Sequence, residues 1–174
     1  MTPPGDQGHP PGSSPAPGGA PGLAPAPPGA AVRAVGMVMA ATPCSARDAR
    51  QVLLVAAELA RATVAEVAAA LVAGADGEPV PASAERALRR AMEAARTVRP
   101  VGGRVRVGPA PNRARAEEVL SRLEGCRARL SAAPGDPGAV RSMDDAVYTL
   151  CVLMGRRTAY EAVHAARRHL AGPW

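Results

Sequence analysis

The chain has 174 residues, with 21 arginines, no lysine and no phenylalanine, and a formal net charge of +6. That length suits one ordinary domain or two small helical ones, and the scarcity of aromatics leaves an aliphatic core of modest stability. The three cysteines, at 44, 126 and 151, form no C-x-x-C pair, which excludes a disulfide framework or a zinc site of recognisable spacing. No apolar run is long enough to span a membrane and no signal peptide is visible, so a cytoplasmic location is expected.

Residues 1–31 hold ten prolines and seven glycines and read as a disordered leader. Order is expected to begin near Val32, with a short helix ending around Met39 to Ala41, because Pro43 forbids continuation. Ser45 and Asp48 form an S-x-x-D capping box. The helix it opens should run to about Ala60, with Val52, Val55, Ala56 and Leu59 on one face. Thr63 and Glu66 form a second box, and Val64, Val67, Ala68 and Leu71 recur at helical spacing up to a left-handed cap at Gly74. Ser83 should cap a fourth helix over 84–98, with Ala84, Leu88, Ala91, Ala95 and Val98 inward and Arg86, Arg89, Arg90 and Arg96 outward.

Residues 100–112 are rich in Gly and Pro and read as a linker with a brief extended RVRV. Asn112 opens a long helix to about Leu130, with Val119, Leu120, Leu123 and Leu130 inward. Ser142 and Asp145 supply a third capping box for a helix over Met143 to Met154, ended by Gly155. Thr158 and Glu161 supply a fourth, for a last helix to Leu170 closed by Gly172 and Pro173. The fold class is therefore all-α: a small three-helix module with a basic fourth helix over 32–99, and a second helical domain over 113–172.

Catalytic chemistry has little to stand on. His164 and His169 lie five apart on one helix, Asp144 and Asp145 point apart, and no H-E-x-x-H, G-x-S-x-G or phosphate-loop motif occurs. No enzyme activity, metal site or cofactor is expected. Charge is more informative. Residues 32–76 are neutral, whereas residues 83–129 carry twelve Arg against five acids. A basic stripe beside a neutral module suits phosphate contacts.

The residues Ala34, Gly36 and Met39 in RAVGMVM, Ala49 at the second helix, and Val64, Val67 and Ala68 in the third together resemble the ANTAR domain, the three-helix RNA-binding module of transcription antiterminators. The resemblance covers residues 33–72 and implies binding of an RNA hairpin in a regulator that works as a dimer. Arg50 stands where that family favours an aromatic, Arg61 at its Asn, Thr63 at its Lys and Ala65 at its Arg. The expected RNA-binding residues are Arg50, Arg61 and Thr63, with Arg86, Arg89, Arg90 and Arg96 attracting phosphates.

Further along, DAVYTLCV, MGRR and AVHAARRHL within 113–172 resemble a small actinomycete helical family of unknown function. That resemblance brings no activity, and Tyr148, Leu150 and Cys151 are expected to be core. Two functions follow from the whole sequence. The first is an ANTAR-like cytoplasmic regulator that binds structured RNA. The second is a helical module that has lost RNA binding and engages a protein, whether a second copy or another partner.

Overall fold

The computed structural model describes residues 29–97 and 111–172. Among these residues there are seven helices and no strand: α1 (Ala30–Ala41), α2 (Ala46–Ala60), α3 (Val64–Ala75), α4 (Ala82–Arg96), α5 (Arg113–Ala132), α6 (Pro137–Met154) and α7 (Ala159–Ala171). The all-α expectation holds. The leader up to residue 28, the RVRV stretch, Val98 and Pro173 lie outside the described residues. The first helix starts two residues earlier than expected. Ala30 is already buried in it.

Where a helix start depends on its own residues, the sequence-based reading is accurate. Ser45 Oγ accepts the Asp48 N–H at 3.1 Å, and Thr63 and Glu66 close a full reciprocal box. Asn112 and Thr158 cap α5 and α7 through the amides three residues on. Two starts are corrected. Ser83 does not cap α4, which begins at Ala82 after Pro81 with no side-chain cap. Ser142 sits in mid-helix, because α6 begins six residues before Met143, at Pro137. Asp136 caps it through the Gly138 N–H at 2.8 Å, and proline at the first helical position has no N–H to satisfy. The left-handed glycine after α3 is Gly77 rather than Gly74, which lies inside the helix. Gly155 does close α6 in that conformation.

We expect Ser45→Ala and Thr63→Ala each to cost about 1 kcal/mol in urea denaturation, the usual loss for a capping side chain. Ser83→Ala and Ser142→Ala should change stability by no more than a few tenths of that, since neither side chain caps a helix.

One buried core runs through all seven helices and takes in Cys44 from the α1–α2 connection. Its largest fully buried side chains are Met39 from α1, Leu53 from α2, Leu123 and Leu130 from α5, and Met143 and Leu150 from α6. Helix α1 is the shared element: it packs on α2 and α3 on one side and on α5 and α6 on the other. The two helical units therefore share a core. Helix α4 packs along α2, and α7 lies against α5 and α6. The buried face of α2 is Ala49, Val52, Leu53, Ala56 and Ala57, so Leu59, expected inward, is 52% exposed.

Arginines hold the helix ends. Arg127 of α5 donates Nε and Nη2 to the Ala40 carbonyl at 3.0 and 2.8 Å. Arg96 of α4 reaches the Ala41 carbonyl and the hydroxyl of Thr42, the one buried polar side chain among the described residues, both at 3.3 Å. Arg113 of α5 donates to the carbonyls of His169, Leu170 and Gly172 at the end of α7. These carbonyls have no partner within their own helix, and the C-terminal end of the helix dipole favours a cation.

Candidate functional site

The seven residues expected to meet RNA divide by location. Thr63 spends its hydroxyl on the α3 capping box, accepting the Glu66 N–H and donating to the Glu66 carboxylate. The Thr63 backbone N–H, and after it the Thr63 hydroxyl, donate to the Glu66 carboxylate and hold its carboxyl below the ordinary range. Arg96 turns toward the end of α1, and Arg89 forms an exposed ion pair with Glu85 at 3.4 Å. Arg86 and Arg90 are exposed, one turn apart on α4, and have no hydrogen-bond or ionic partner among the described residues.

Because Arg96 at the end of α4 meets Ala41 and Thr42 just ahead of α2, these two helices run antiparallel. The start of α4, with Arg86, therefore lies at the end of α2 that carries Arg61. Arg50 is elsewhere, on the side of α2 that faces α1 and the first part of α6. The structure thus brings Arg61 and Arg86 to one end and separates both from Arg50.

Arg61 has a feature of its own. It is the one non-glycine residue with positive φ among the described residues, at φ 53 and ψ 43. Left-handed backbone is disfavoured for a side chain bearing Cβ, and Asn tolerates it better than most residues. Arg61→Gly is expected to raise stability by about 1 kcal/mol in a thermal melt, because the strain at this linkage disappears.

Two grooves mark the surface. The larger, about 600 Å³, lies between α3 and α4 over Met37, with Leu71, Val80, Leu88 and Met92 in its walls. Its rim alternates Glu85, Arg89, Glu93 and Arg96, and so carries no net charge. The smaller, about 360 Å³, lies between α1, α2 and α6. Val35, Leu53, Val64 and Val140 line it beside two side chains that stand open to solvent, Val32 at 50% and Leu54 at 46% exposure. Arg50 is exposed at its rim and has no acidic partner among the described residues. Sequence reasoning placed Arg50 in a functional role but did not find the apolar walls beside it. Leu54 falls between the buried positions of α2, and only that offset signals it.

A second apolar feature overturns an expectation. Tyr148, expected in the core, is 73% exposed, and Val152, one turn later on α6, is 64% exposed. Leu150 between them is fully buried, and Cys151 is half-buried. Asp145, expected in the capping box of this helix, caps nothing, whereas its neighbour Asp144 serves a different helix, α2. The Asp144 Oδ1 accepts the Ala46 N–H at the start of α2, at 2.7 Å, while Asp145 faces solvent.

The thiols are shielded. Burial, with help from Asp48 and Asp144, pushes the Cys44 thiol up to about 12 against a smaller opposing effect from Arg127. Burial together with Asp48 and Glu161 pushes Cys151 up to about 11. We expect neither to react at pH 8 with a thiol reagent on the timescale of an unfolded control, since the thiolate is the nucleophile. The sign of the linkage is fixed as well. The unfolded chain releases these protons near pH 8.5 and the folded chain holds them, so their stabilisation is complete below that pH and is lost as pH rises toward 11–12.

Among the described residues, no group of three or more His, Cys, Asp or Glu is placed to hold a metal ion, and no helix is long and apolar enough to cross a membrane. His164 stacks edge-on against Tyr160, with ring centroids 4.5 Å apart, on the face of α7. The chain is an all-α protein whose distinctive surface is apolar grooves and stripes rather than a polar cleft. Its residues 110–173, which cover α5, α6 and α7, match a family model described as a protein of unknown function, DUF5133. The C-terminal resemblance read from DAVYTLCV is consistent with that match, which does not extend to the ANTAR-like residues 33–72. No curated protein and no solved structure matches the chain.

Proposed function

We propose that this chain is a non-catalytic helical interaction module that seats an amphipathic segment of a partner protein in the groove between α1, α2 and α6. The observation that carries this reading is the pairing of half-exposed Val32 and Leu54 over Val35, Leu53, Val64 and Val140. Isolated surface hydrophobics are ordinary, but these two wall one continuous apolar groove. A helix laid in such a groove contributes apolar residues at i, i+3 or i+4, and i+7. Arg50 at the rim sets the second requirement, an acidic residue beside the apolar anchors.

The test is selection of a displayed library of helical peptides on the full chain, with counter-selection on the Leu54→Glu variant. Enriched peptides should carry apolar residues at helical spacing next to Asp or Glu, and Arg50→Glu should reverse the preference for acid. Absence of enrichment over the counter-selection would remove this function.

A second reading, the RNA-binding regulator, is favoured by one observation: an exposed Arg61 is kept at a strained backbone position, at the end of the α2–α4 pair where Arg86 lies. Strain retained in a folded chain is a pointer to function. In this reading Arg61, Arg86 and Arg90 supply the attraction, and Arg50, Thr63, Arg89 and Arg96 do not. Filter binding of a hairpin RNA at several salt concentrations separates the two. Arg86→Gln with Arg90→Gln should flatten the salt dependence by roughly 0.7–0.9 per lost phosphate contact. Unaltered retention of the RNA by this double variant, or none by the wild type at low salt, would eliminate the RNA reading.

A further inference from the structure

We propose that the leader closes the peptide groove from within the same chain, with Leu23 seated between Val32 and Leu54, and that a partner segment binds by displacing it. The regulatory half of this proposal rests on the reading of the groove between α1, α2 and α6 as a peptide site. The starting observation is where the leader joins the fold. Gly29 is the N-cap of α1, and Ala31, Val32 and Val35 in the turns that follow form one wall of the groove. The other groove, between α3 and α4, meets α1 only at Met37, further from the leader. Gly29 holds a left-handed φ of 85, and a Cβ there would meet nothing within 4 Å, so space is open where the leader enters α1.

The leader's sequence suits this groove. Between Thr2 and Gly29, prolines aside, Leu23 is the one aliphatic side chain larger than alanine. It stands six residues before Gly29, a reach of about 19 Å at the polyproline rise. That reach spans walls that begin in the first turn of α1. Pro21, Pro25, Pro27 and Pro28 surround Leu23. Each has a fixed φ and no N–H, so docking orders little and buries few unpaired donors. The tether raises the local concentration of Leu23 to the millimolar range, which lets a single apolar anchor hold. Charge limits that hold. No Asp or Glu occurs between Asp6 and Asp48, so the leader leaves Arg50 at the rim without an acid. A partner with an acid beside its apolar anchors supplies that contact and displaces the leader. A partner without one competes on apolar contacts alone, against a tethered rival. The leader thereby makes the acid a condition of binding.

Methyl NMR of the full chain, labelled at Leu and Val and compared with Leu23→Ser, tests the contact before any peptide is added. The methyls of Val32, Val35, Leu54, Val64 and Val140 should shift, and those of Leu71 and Leu88 in the other groove should not. Leu23 precedes the first helix, so the variant should keep its helical circular dichroism. Silent groove methyls would overturn the proposal. So would a response that fades on dilution, which would mean that a neighbouring copy supplies the leader. A peptide enriched on the groove should bind Leu23→Ser roughly threefold tighter or more, the tethered competitor being gone. Ala24→Glu, which gives the leader an acid, should weaken that peptide several-fold. Equal affinity for all three chains would also overturn the proposal. The two readings fail separately. Groove methyls that respond while no peptide is enriched would support the leader contact and remove the partner reading. Enriched peptides with silent methyls would do the reverse.

Discussion

Gly36→Ala is expected to destabilise the protein by about 3 kcal/mol or more, well beyond the effect of losing one helix cap. A glycine inside a helix is ordinarily a weakness, and alanine would strengthen an isolated α1 by roughly 1 kcal/mol. Here tertiary packing reverses that sign. A Cβ at Gly36 would stand 1.9 Å from the Pro134 carbonyl oxygen and 2.7 Å from its carbon. The obstacle is backbone, in the short connection between α5 and α6, and it cannot rotate aside as a side chain would. Accommodation requires α1 to lift away from α5 and α6, and α1 is the helix that joins the two halves of the core. A melt followed by circular dichroism reads the loss. A variant as stable as the wild type would mean that the α5–α6 connection yields freely.

The second large effect is expected at Asp144. Asp144→Ala should cost about 2 kcal/mol, because the Ala46 N–H it leaves behind is in a buried residue and would have no acceptor. The carboxylate also faces the positive end of the α2 dipole. Asp144→Asn keeps an oxygen acceptor and loses only the charge, so it should cost about half as much. Urea denaturation with an unchanged slope would assign both losses to the folded state. The Asn variant should also bring the Cys44 thiol down from about 12, since Asp144 is one of the charges that raise it. If alanine and asparagine cost the same, the charge and not the hydrogen bond is what steadies the start of α2.

These two residues show where the sequence was readable and where it was not. Ser45, Thr63, Asn112 and Thr158 mark helix starts through amides three residues away, so a local pattern suffices to find them. Ser142 and Asp145 carry the same pattern inside α6, where the amides are already paired within the helix. The stronger signal was Asp136-Pro137, a cap followed by a proline. The bond from Asp144 crosses 98 residues, and no local spacing could reveal it. Gly36 stood out through the ANTAR resemblance, but its reason, the approach of Pro134, is equally remote in sequence. The surplus of arginine between 83 and 129 was legible as a number and not as a location. Arg96, Arg113 and Arg127 turned out to neutralise helix ends. The peptide groove depends on how α1, α2 and α6 diverge, and Tyr148 on which face of α6 the core leaves uncovered. Both are properties of packing between distant segments.

The position of α1 bears on how the chain can be cut. The matched family segment begins at residue 110, yet part of the surface of α5 and α6 is covered by a helix eighty residues upstream. A fragment of residues 110–173 would therefore expose apolar side chains that the intact protein hides, and would behave as a loosely packed set of helices rather than as a transplantable unit. In hydrogen exchange on the whole chain, the central amides of α1 should open together with those of α5 and α6, as one cooperative unit. A fusion or truncation that respects the family boundary would cut through the core.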